Sequence, residues 1–325
     1  MHSIIDKFEQ LAALANPFSY NEFSRIALYD DTYGYYRSNR QRVGRGSDAD
    51  FFTASSLGSL LGKLVVSAAT RLLCHEDLQA YTLVEIGNEP AQDPFAGVEL
   101  PFKAKLSFPL GQIATIPDKS IVFSNELLDA QPFHRFLFTQ QHWREIGVHY
   151  VNGTLEEVLL PEPTPAVARL MEILPKQMPE GYHLDISLAA ENLLEQVVRQ
   201  EWSGLLLFLD YGKDWEELVS ACPQGTARAY HRQRQSTALL KHPGEQDLTT
   251  HVCWDRLKAF MQHHHFRMLE VLRQESFFMR YSPKVIQAVI EAAPNQFDPQ
   301  RQALMQLLHP AHMGHAFQVL YGIRL

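Results

Sequence analysis

Carboxylate and amide side chains end three short apolar segments of the sequence. The segments with their polar ends are YTLVEIG (81–87) with Glu85, SIVFSNE (120–126) with Asn125 and Glu126, and GLLLFLDYG (204–212) with Asp210. Short apolar runs between breakers are typical of buried parallel strands. Because open α/β sheets bind ligands outside the carboxyl ends of their strands, the three segments predict a polar site at one sheet edge.

The Asn125–Glu126 pair, which begins NELLDAQPFHRF (125–136), allows two interpretations. A carboxylate at a strand end can pair bidentately with an arginine side chain. Alternatively, Asn125 caps a helical turn formed by ELLDA, and Glu126 lies at the positive end of that turn. Asp210 is similarly either a site acid or the cap of a turn in which Gly212 supplies a positive φ.

Two later segments contain clustered polar residues. GTARAYHRQRQ (225–235) is either an anion-binding loop or, as its composition favours, a solvated basic stretch. PGEQDLTTHV (243–252) has three consecutive acceptors, Glu245, Gln246 and Asp247, which is more typical of a functional loop than of a spacer. The three histidines at 263–265 do not predict a metal site, because adjacent residues on a helix do not face one another.

Composition indicates a globular protein outside the nucleic-acid-binding class. The 325 residues are 46% hydrophobic and 20% charged, and a net charge of −8 argues against a basic nucleic-acid surface. The three cysteines, at positions 74, 222 and 253, form no metal pattern and favour a reducing compartment. The amino-terminal segment lacks the pattern of a signal peptide, and no apolar run has the length of a membrane span. These features predict a cytoplasmic location.

Periodicity and breakers predict the surrounding elements. Residues 1–30 are expected to form helices, with Ser19 or Asn21 as a cap, and Asn152-Gly153 is expected to turn an antiparallel hairpin within 135–160. Further predicted elements are a helix from near Ser55 or Ser56 to Leu73, a helix at 188–200, a helix after Trp254, a strand at 266–274, and helices at 282–293 and 298–308. We expect a helical extension at 1–75 packed on a core at 76–325, with an insertion at about 135–190.

Several of these segments together resemble one known family. ALYDDTYGYY (27–36), DFFTASSLGSLLG (50–62), NELLDAQPFHRF, LDYG, GTARAYHRQRQ and PGEQDLTTHV occur in the order and at the spacing of the MidA-like family of S-adenosylmethionine-dependent methyltransferases. That family includes a mitochondrial complex I assembly factor that methylates a protein arginine. The resemblance implies a class I methyltransferase-like, Rossmann-like α/β fold. Its seven-stranded, mostly parallel sheet would carry amino-terminal helices and an inserted antiparallel hairpin on the substrate side.

The resemblance also assigns roles to residues. It implies S-adenosylmethionine as the cofactor and a protein arginine as the methyl acceptor, and it makes Asn125, Glu126 and Asp210 the catalytic group. The implied cofactor-binding residues are Glu85, Gly87 and Glu99. The implied substrate-binding residues are Asp50, Thr53, Asp129, Tyr211, Glu245, Gln246 and Asp247.

The segment after Gly87 departs from the family pattern E-I-G-x-G-x-G. Glu89 and Ala91 stand where glycines belong, and the prolines and glycine of residues 88–101 leave no room for a crossover helix. Glu99, the nearest candidate for an acid that holds the cofactor ribose, follows Gly87 by only 12 positions, whereas dinucleotide folds place this acid about 20 residues on. A strand–helix unit is therefore predicted to be missing, and S-adenosylmethionine is expected to bind weakly or not at all.

Three functional hypotheses follow from the sequence. The first is an arginine methyltransferase, and the second is a pseudoenzyme that binds a basic segment of a protein partner without chemistry. Filling of the end of strand 81–87 by Pro90, Phe95 or Phe102 would favour the second. A small-molecule methyltransferase is the third, because a fold does not fix a function.

Overall fold

The computed structural model describes residues 3–37, 58–74, 76–88, 93–112, 115–232, 234–292, 295 and 297–325. The chain divides into two compact units. Unit 1 comprises Met1–Phe51, Leu128–Asn192 and Lys213–Cys253, and unit 2 comprises Phe52–Leu127, Leu193–Gly212 and Trp254–Leu325. The expected boundary at residue 75 is therefore not where the chain divides, because residues 58–74 belong with the parallel strands and residues 213–253 group with the amino-terminal helices.

The helices are α1 (Ile4–Leu14), α2 (Tyr20–Tyr29), α3 (Leu60–Leu72), α4 (Ala168–Ile173), α5 (Leu188–Val198), α6 (Trp215–Ser220), α7 (Trp254–His263), α8 (Gln274–Tyr281), α9 (Pro283–Ala292), α10 (Pro299–Leu308) and α11 (Met313–Ala316). The strands are β1 (Phe18–Ser19), β2 (Thr82–Asn88), β3 (Ala104–Pro109), β4 (Ser120–Asn125), β5 (His134–Thr139), β6 (His142–Val151), β7 (Thr154–Leu159), β8 (His183–Ile186), β9 (Gly204–Lys213), β10 (Arg228–His231), β11 (Arg234–Ser236), β12 (Asp247–Thr249), β13 (Val252–Cys253), β14 (Arg267–Arg273) and β15 (Phe317–Arg324).

Unit 2 is built on a mostly parallel sheet in the order β14-β15-β9-β4-β2-β3. The three strands predicted from apolar runs are β2, β4 and β9, and they are neighbours with parallel pairing. β3 extends the sheet in parallel beyond β2, whereas β15 and β14 close the other side antiparallel. The predicted α/β, class I methyltransferase-like architecture is confirmed.

The connection from β2 to β3 is short, as the prolines predicted. Residues 93–103 form turns and extended chain rather than a crossover helix, and residues 89–92 lie outside the described part. Among the described residues, no further parallel strand pairs with the outer edge of β3. Within the described ranges, β3 is the only parallel strand beyond β2 in this sheet.

One face of the unit 2 sheet carries its main hydrophobic core. Leu83, Ile121 and Leu205 point from adjacent parallel strands and are fully buried together with Leu61 and Leu64 of α3. Each such side chain contributes about 1.5–3 kcal/mol through burial. This packing fixes the register of the strands and therefore the positions of the residues that follow them.

Unit 1 contains the predicted hairpin. β5, β6 and β7 form an antiparallel meander, and Asn152 and Gly153 turn β6 into β7 with φ values of 49° and 83°. Two consecutive positive φ values are the signature of a type I′ turn. Ser19 caps α2 by accepting a hydrogen bond from Glu22 N, as its position predicted. In the described part of the chain, no helix combines the length and apolarity that a membrane span requires.

Candidate functional site

The carboxyl ends of three parallel strands meet at one edge of the unit 2 sheet. Ile86, Ser124 and Phe208 occupy the same register position on β2, β4 and β9, and Asn125 faces Leu209 one position further. Asn88, Asn125 and Asp210 therefore lie at this edge, which we call the carboxyl edge.

Three buried polar atoms at the carboxyl edge have no hydrogen-bond partner among the described residues. They are Asn88 Oδ1, Ser124 Oγ and Asn125 Oδ1. An unsatisfied buried polar group costs about 1–3 kcal/mol. Because amide oxygens only accept hydrogen bonds, the two asparagines suit a ligand that donates N–H or O–H groups. S-adenosylmethionine, with an amino group and ribose hydroxyls, fits this requirement.

Glu126 is held in a strained conformation directly after β4. Its φ is 53°, a left-handed value that costs a non-glycine residue about 1–2 kcal/mol. Its backbone N–H donates to Leu209 O at 2.9 Å, and Asn125 Nδ2 donates to its carboxylate oxygen Oε1 at 2.9 Å. Residues 126–131 form bends and a turn, so the interpretation of Asn125 as a helix cap is wrong. The Asn125 amide instead anchors the Glu126 carboxylate.

Asp210 stabilises the backbone around this pair. Its carboxylate is 1% exposed, and its oxygens accept hydrogen bonds from Leu127 N at 3.2 Å and from Tyr211 N at 2.8 Å. These contacts support the capping interpretation. Gly212 does not supply the expected positive φ; it is required because a Cβ there would lie 2.2 Å from Trp254 Cε2.

Gly87 makes the turn at the end of β2. Its φ is 80°, and a Cβ built on it would lie 2.8 Å from Leu127 Cδ1. Both the conformation and the close approach therefore require glycine at this position. Gly87 thereby shapes the edge that carries the unsatisfied asparagines, although the residues from 89 to 92 are outside the described part.

Glu85 is engaged inside the sheet. Its carboxylate is 4% exposed, accepts a hydrogen bond from Ser107 Oγ at 2.9 Å and lies 3.1 Å from Lys105 Nζ. Burial raises the pKa of Glu85 above its ordinary value, and the Lys105 ammonium opposes this rise. Glu85 thus joins β2 to β3, a role that the sequence did not reveal.

Phe95 covers the sheet face beside Glu85. Its ring contacts Phe123, the register partner of Glu85, at 5.3 Å between centroids, and Lys105 Nζ lies 5.0 Å from its centroid. Phe102 is buried in the same core, and Pro90 lies outside the described residues. Phe95 and Phe102 therefore fill the sheet face that carries Phe123, below the carboxyl edge.

Glu99 does not lie at a strand end. It precedes β3, in the connection from β2, and lines a cavity of about 510 Å³ together with Lys63 of α3 and Val285 of α9. The described residues from Ser107 to Gln112, where β3 ends, include no acidic side chain. The structure corrects the predicted placement of Glu99, because the second strand begins after this residue.

Asp129 and Asp247 belong to a buried tyrosine cluster in unit 1. Both carboxylates are 4% exposed, and Tyr36 Oη donates to Asp247 Oδ1 at 2.7 Å. Burial, followed by the charges of these carboxylates, raises the pKa of Tyr29 and Tyr36 well above the ordinary tyrosine value. The role of these tyrosines was not predicted, although the ALYDDTYGYY segment contains both.

The three consecutive acceptors at 245–247 do not form one site. Glu245 is exposed, and Gln246 is 2% exposed with its Nε2 donating to Leu239 O at 2.7 Å. Gln246 therefore orders its own loop, because the backbone turns it inward. The expected basic loop at 225–235 contains β10 and β11 instead, and Arg228 donates to the carbonyl oxygen of Ala227 at 2.7 Å.

The remaining predicted residues fall in two places. Tyr211 follows Asp210 in unit 2 and packs against Phe317, whereas Asp50 and Thr53 lie outside the described residues. No group of histidine, cysteine and acidic side chains within the described ranges could hold a metal ion.

Residues 64–272 match a family model described as "Putative S-adenosyl-L-methionine-dependent methyltransferase". The protein arginine methyltransferase NDUFAF7 of human mitochondria is 26% identical over 206 residues, which cover 61% of this chain and 44% of that protein. NDUFAF7 of Danio rerio is 26% identical over 209 residues, with 61% and 46% coverage. The chain thus spans less than half the length of these curated relatives.

Two solved structures match nearly the whole chain. A protein from Burkholderia thailandensis bound to S-adenosyl-homocysteine is 20% identical with a TM-score of 0.84, covering 99% of this chain and 92% of that one. A native structure from the same organism gives 19% identity and a TM-score of 0.82, with 99% and 91% coverage. At this identity the likeness establishes the fold alone.

Proposed function

Because the chain belongs to this family of S-adenosyl-L-methionine-dependent methyltransferases, we propose that it methylates a guanidinium nitrogen of an arginine in a protein. The names of the human and Danio rerio relatives support arginine as the acceptor. The shared fold of the S-adenosyl-homocysteine complex from Burkholderia thailandensis supports cofactor binding by this chain. A role in complex assembly and a cytoplasmic location remain predictions.

Asn88, Ser124 and Asn125 would hold the cofactor, since their buried polar atoms lack partners in the described part of the molecule. S-adenosylmethionine, when bound, supplies a methyl group activated by a positively charged sulfur. The described end of β3 offers no carboxylate for the ribose hydroxyls. We therefore propose that binding depends on the amide acceptors and is weaker than in relatives with a complete site.

The anchored Glu126 carboxylate is the observation that carries the proposal. Guanidinium groups pair with carboxylates through charge-assisted hydrogen bonds, which fix both position and orientation. The bond from Asn125 and the backbone bond to Leu209 hold Glu126 before any substrate arrives. Methyl transfer depends chiefly on such positioning, because a near-attack arrangement removes much of the entropic barrier.

Methylation of arginine peptides by the full chain tests this proposal. The chain is incubated with labelled S-adenosylmethionine and an arginine-containing peptide library, and methylated arginine is identified by mass spectrometry. Glu126→Gln is expected to lower kcat/KM about 10- to 150-fold, because a hydrogen bond to a charged group contributes about 1.5–3 kcal/mol.

Glu9→Gln, which alters an exposed carboxylate of α1, is the matched control and should keep full activity. Methylation confined to lysine, or equal rates for Glu126→Gln and the unmodified chain, would contradict the proposal.

The second candidate function is that of a non-catalytic family member, which binds a basic segment of a protein partner. The observation in its favour is that Lys105 and Phe95 already occupy the surroundings of Glu85. A folded chain that binds arginine peptides but not S-adenosylmethionine would establish this candidate in place of the enzyme.

A further inference from the structure

A small cavity of about 260 Å³ lies in unit 2 where β9 ends and β15 begins. Its lining consists of Tyr211, Gln306, His312, Met313, Ala316 and Phe317. None of these residues except Tyr211 was predicted to take part in the site. The cavity is distinct from the three unsatisfied atoms at Asn88, Ser124 and Asn125.

Register places this cavity beside the carboxyl edge. Tyr211 pairs with Phe317 across the two strands, and it directly follows Asp210. Leu209, two residues earlier on the same strand, faces Asn125. A segment bound with one side chain at the Asn125–Glu126 pair would therefore have the cavity within reach of a neighbouring side chain.

The walls of the cavity suit a planar cation. The Tyr211 and Phe317 rings lie 3.9 Å apart between centroids with a 42° tilt, and Met313 adds a polarisable thioether. Aromatic faces attract cations, and the flat arginine guanidinium stacks on them better than the compact lysine ammonium does.

An unsatisfied acceptor adds direction to this apolar surrounding. Gln306 Oε1 is buried and has no hydrogen-bond partner among the described residues. An amide oxygen can only accept, so it suits a guanidinium N–H. Glu275 Oε2 is also buried without such a partner and lies 3.1 Å from the Cβ position of Gly314, next to Met313. Its other oxygen, Oε1, lies 3.7 Å from His315 Nδ1 of α11, so Gln306, which lines the cavity, is the acceptor for the guanidinium.

We propose that this cavity is a second subsite, which binds the guanidinium of an arginine flanking the methylated residue. The assignment rests on the proposed function for the statement that the substrate is a protein. It goes further in specifying substrates with two nearby arginines, of which only the one at Glu126 is methylated.

Methyl NMR of the full chain tests the subsite without cofactor. The eight methionines are labelled on their methyl carbons, and Met313→Leu identifies the Met313 signal. N-acetyl-L-arginine N-methylamide is the probe, and it is expected to shift that signal saturably. Gln306→Leu should weaken this binding about tenfold, since it removes one hydrogen bond to a charged group.

Gln302→Leu, on an exposed face of the same helix α10, is the matched control and should titrate like the unmodified chain. Gln306→Asn, which shortens the amide, provides a second variant if Gln306→Leu does not fold. The proposal is overturned if the Met313 signal does not respond to the probe. It is also overturned if a folded Gln306 variant titrates like the unmodified chain, or if the neutral citrulline analogue binds as well as the arginine probe.

These outcomes are independent of catalysis. A Met313 response from a chain that methylates nothing would preserve the subsite and refute the proposed function. Methylation of arginine without any Met313 response would support the proposed function and refute the subsite.

Discussion

Gly87→Ala is the substitution whose cost can be derived most directly from the structure. The left-handed φ of 80° should cost alanine about 1–2 kcal/mol, and the approach of its Cβ to Leu127 Cδ1 at 2.8 Å should add about 1–3 kcal/mol of overpacking. The free energy of unfolding of the variant is therefore expected to fall by about 2–5 kcal/mol. Urea denaturation of purified protein measures this change.

A double-mutant cycle separates the two contributions. Leu127→Ala alone should cost about 2–5 kcal/mol, because Leu127 is 1% exposed. The double variant should be more stable, by about 1–3 kcal/mol, than the sum of the single effects predicts, because Leu127→Ala removes the side chain with which the new Cβ collides. Gly97→Ala, at a φ of 70° with no atom of the described residues within 4 Å of its Cβ position, is the control and should show only the conformational cost. Additivity within about 0.5 kcal/mol would refute the steric argument.

Two further predictions concern unit 1. Tyr36→Phe removes the 2.7 Å hydrogen bond to buried Asp247 and should lower the free energy of unfolding by about 1.5–3 kcal/mol. Tyr33→Phe, with no such bond to Asp247, is the control and should change it little. Equal losses for the two variants in urea denaturation would contradict this prediction. Burial, with the charges of Lys213 and Arg228, lowers the pKa of His251 to about 4 from 6.5. Because the unfolded chain binds the proton more readily, stability should fall as the pH drops from about 6.5 to 4. His251→Gln should lose less stability over that range, and parallel pH profiles would contradict the assignment.

The sheet strands could be predicted because their signal is local. Apolar runs between breakers located β2, β4 and β9, and the prolines after Gly87 predicted the short connection to β3. β15 was not predicted, although FQVLYGIR is equally apolar, because a closing antiparallel strand depends on pairing with distant β9 and β14.

The side-chain environment of the site could be predicted only in part. The edge positions of Asn125 and Asp210 follow from where their strands end. The Lys105–Glu85 contact could not be predicted, because it depends on the register between two strands, which sequence spacing does not specify. Gln246 likewise points inward, because its Nε2 donates a hydrogen bond to Leu239 O. Its polarity alone had indicated a substrate-binding role. Glu99 was misplaced because the start of β3 was unknown.

Calorimetric titration of the full chain with S-adenosylmethionine, and separately with S-adenosyl-homocysteine, tests the central claim most directly. We expect saturable binding with a Kd of about 10–100 μM, equivalent to about −7 to −5.5 kcal/mol. The amide acceptors are present, whereas the described residues at the end of β3 include no acid. Asn125→Leu should weaken binding about tenfold by removing one acceptor. No heat at millimolar ligand, from a chain shown to be folded by circular dichroism, would contradict the assignment as a working methyltransferase.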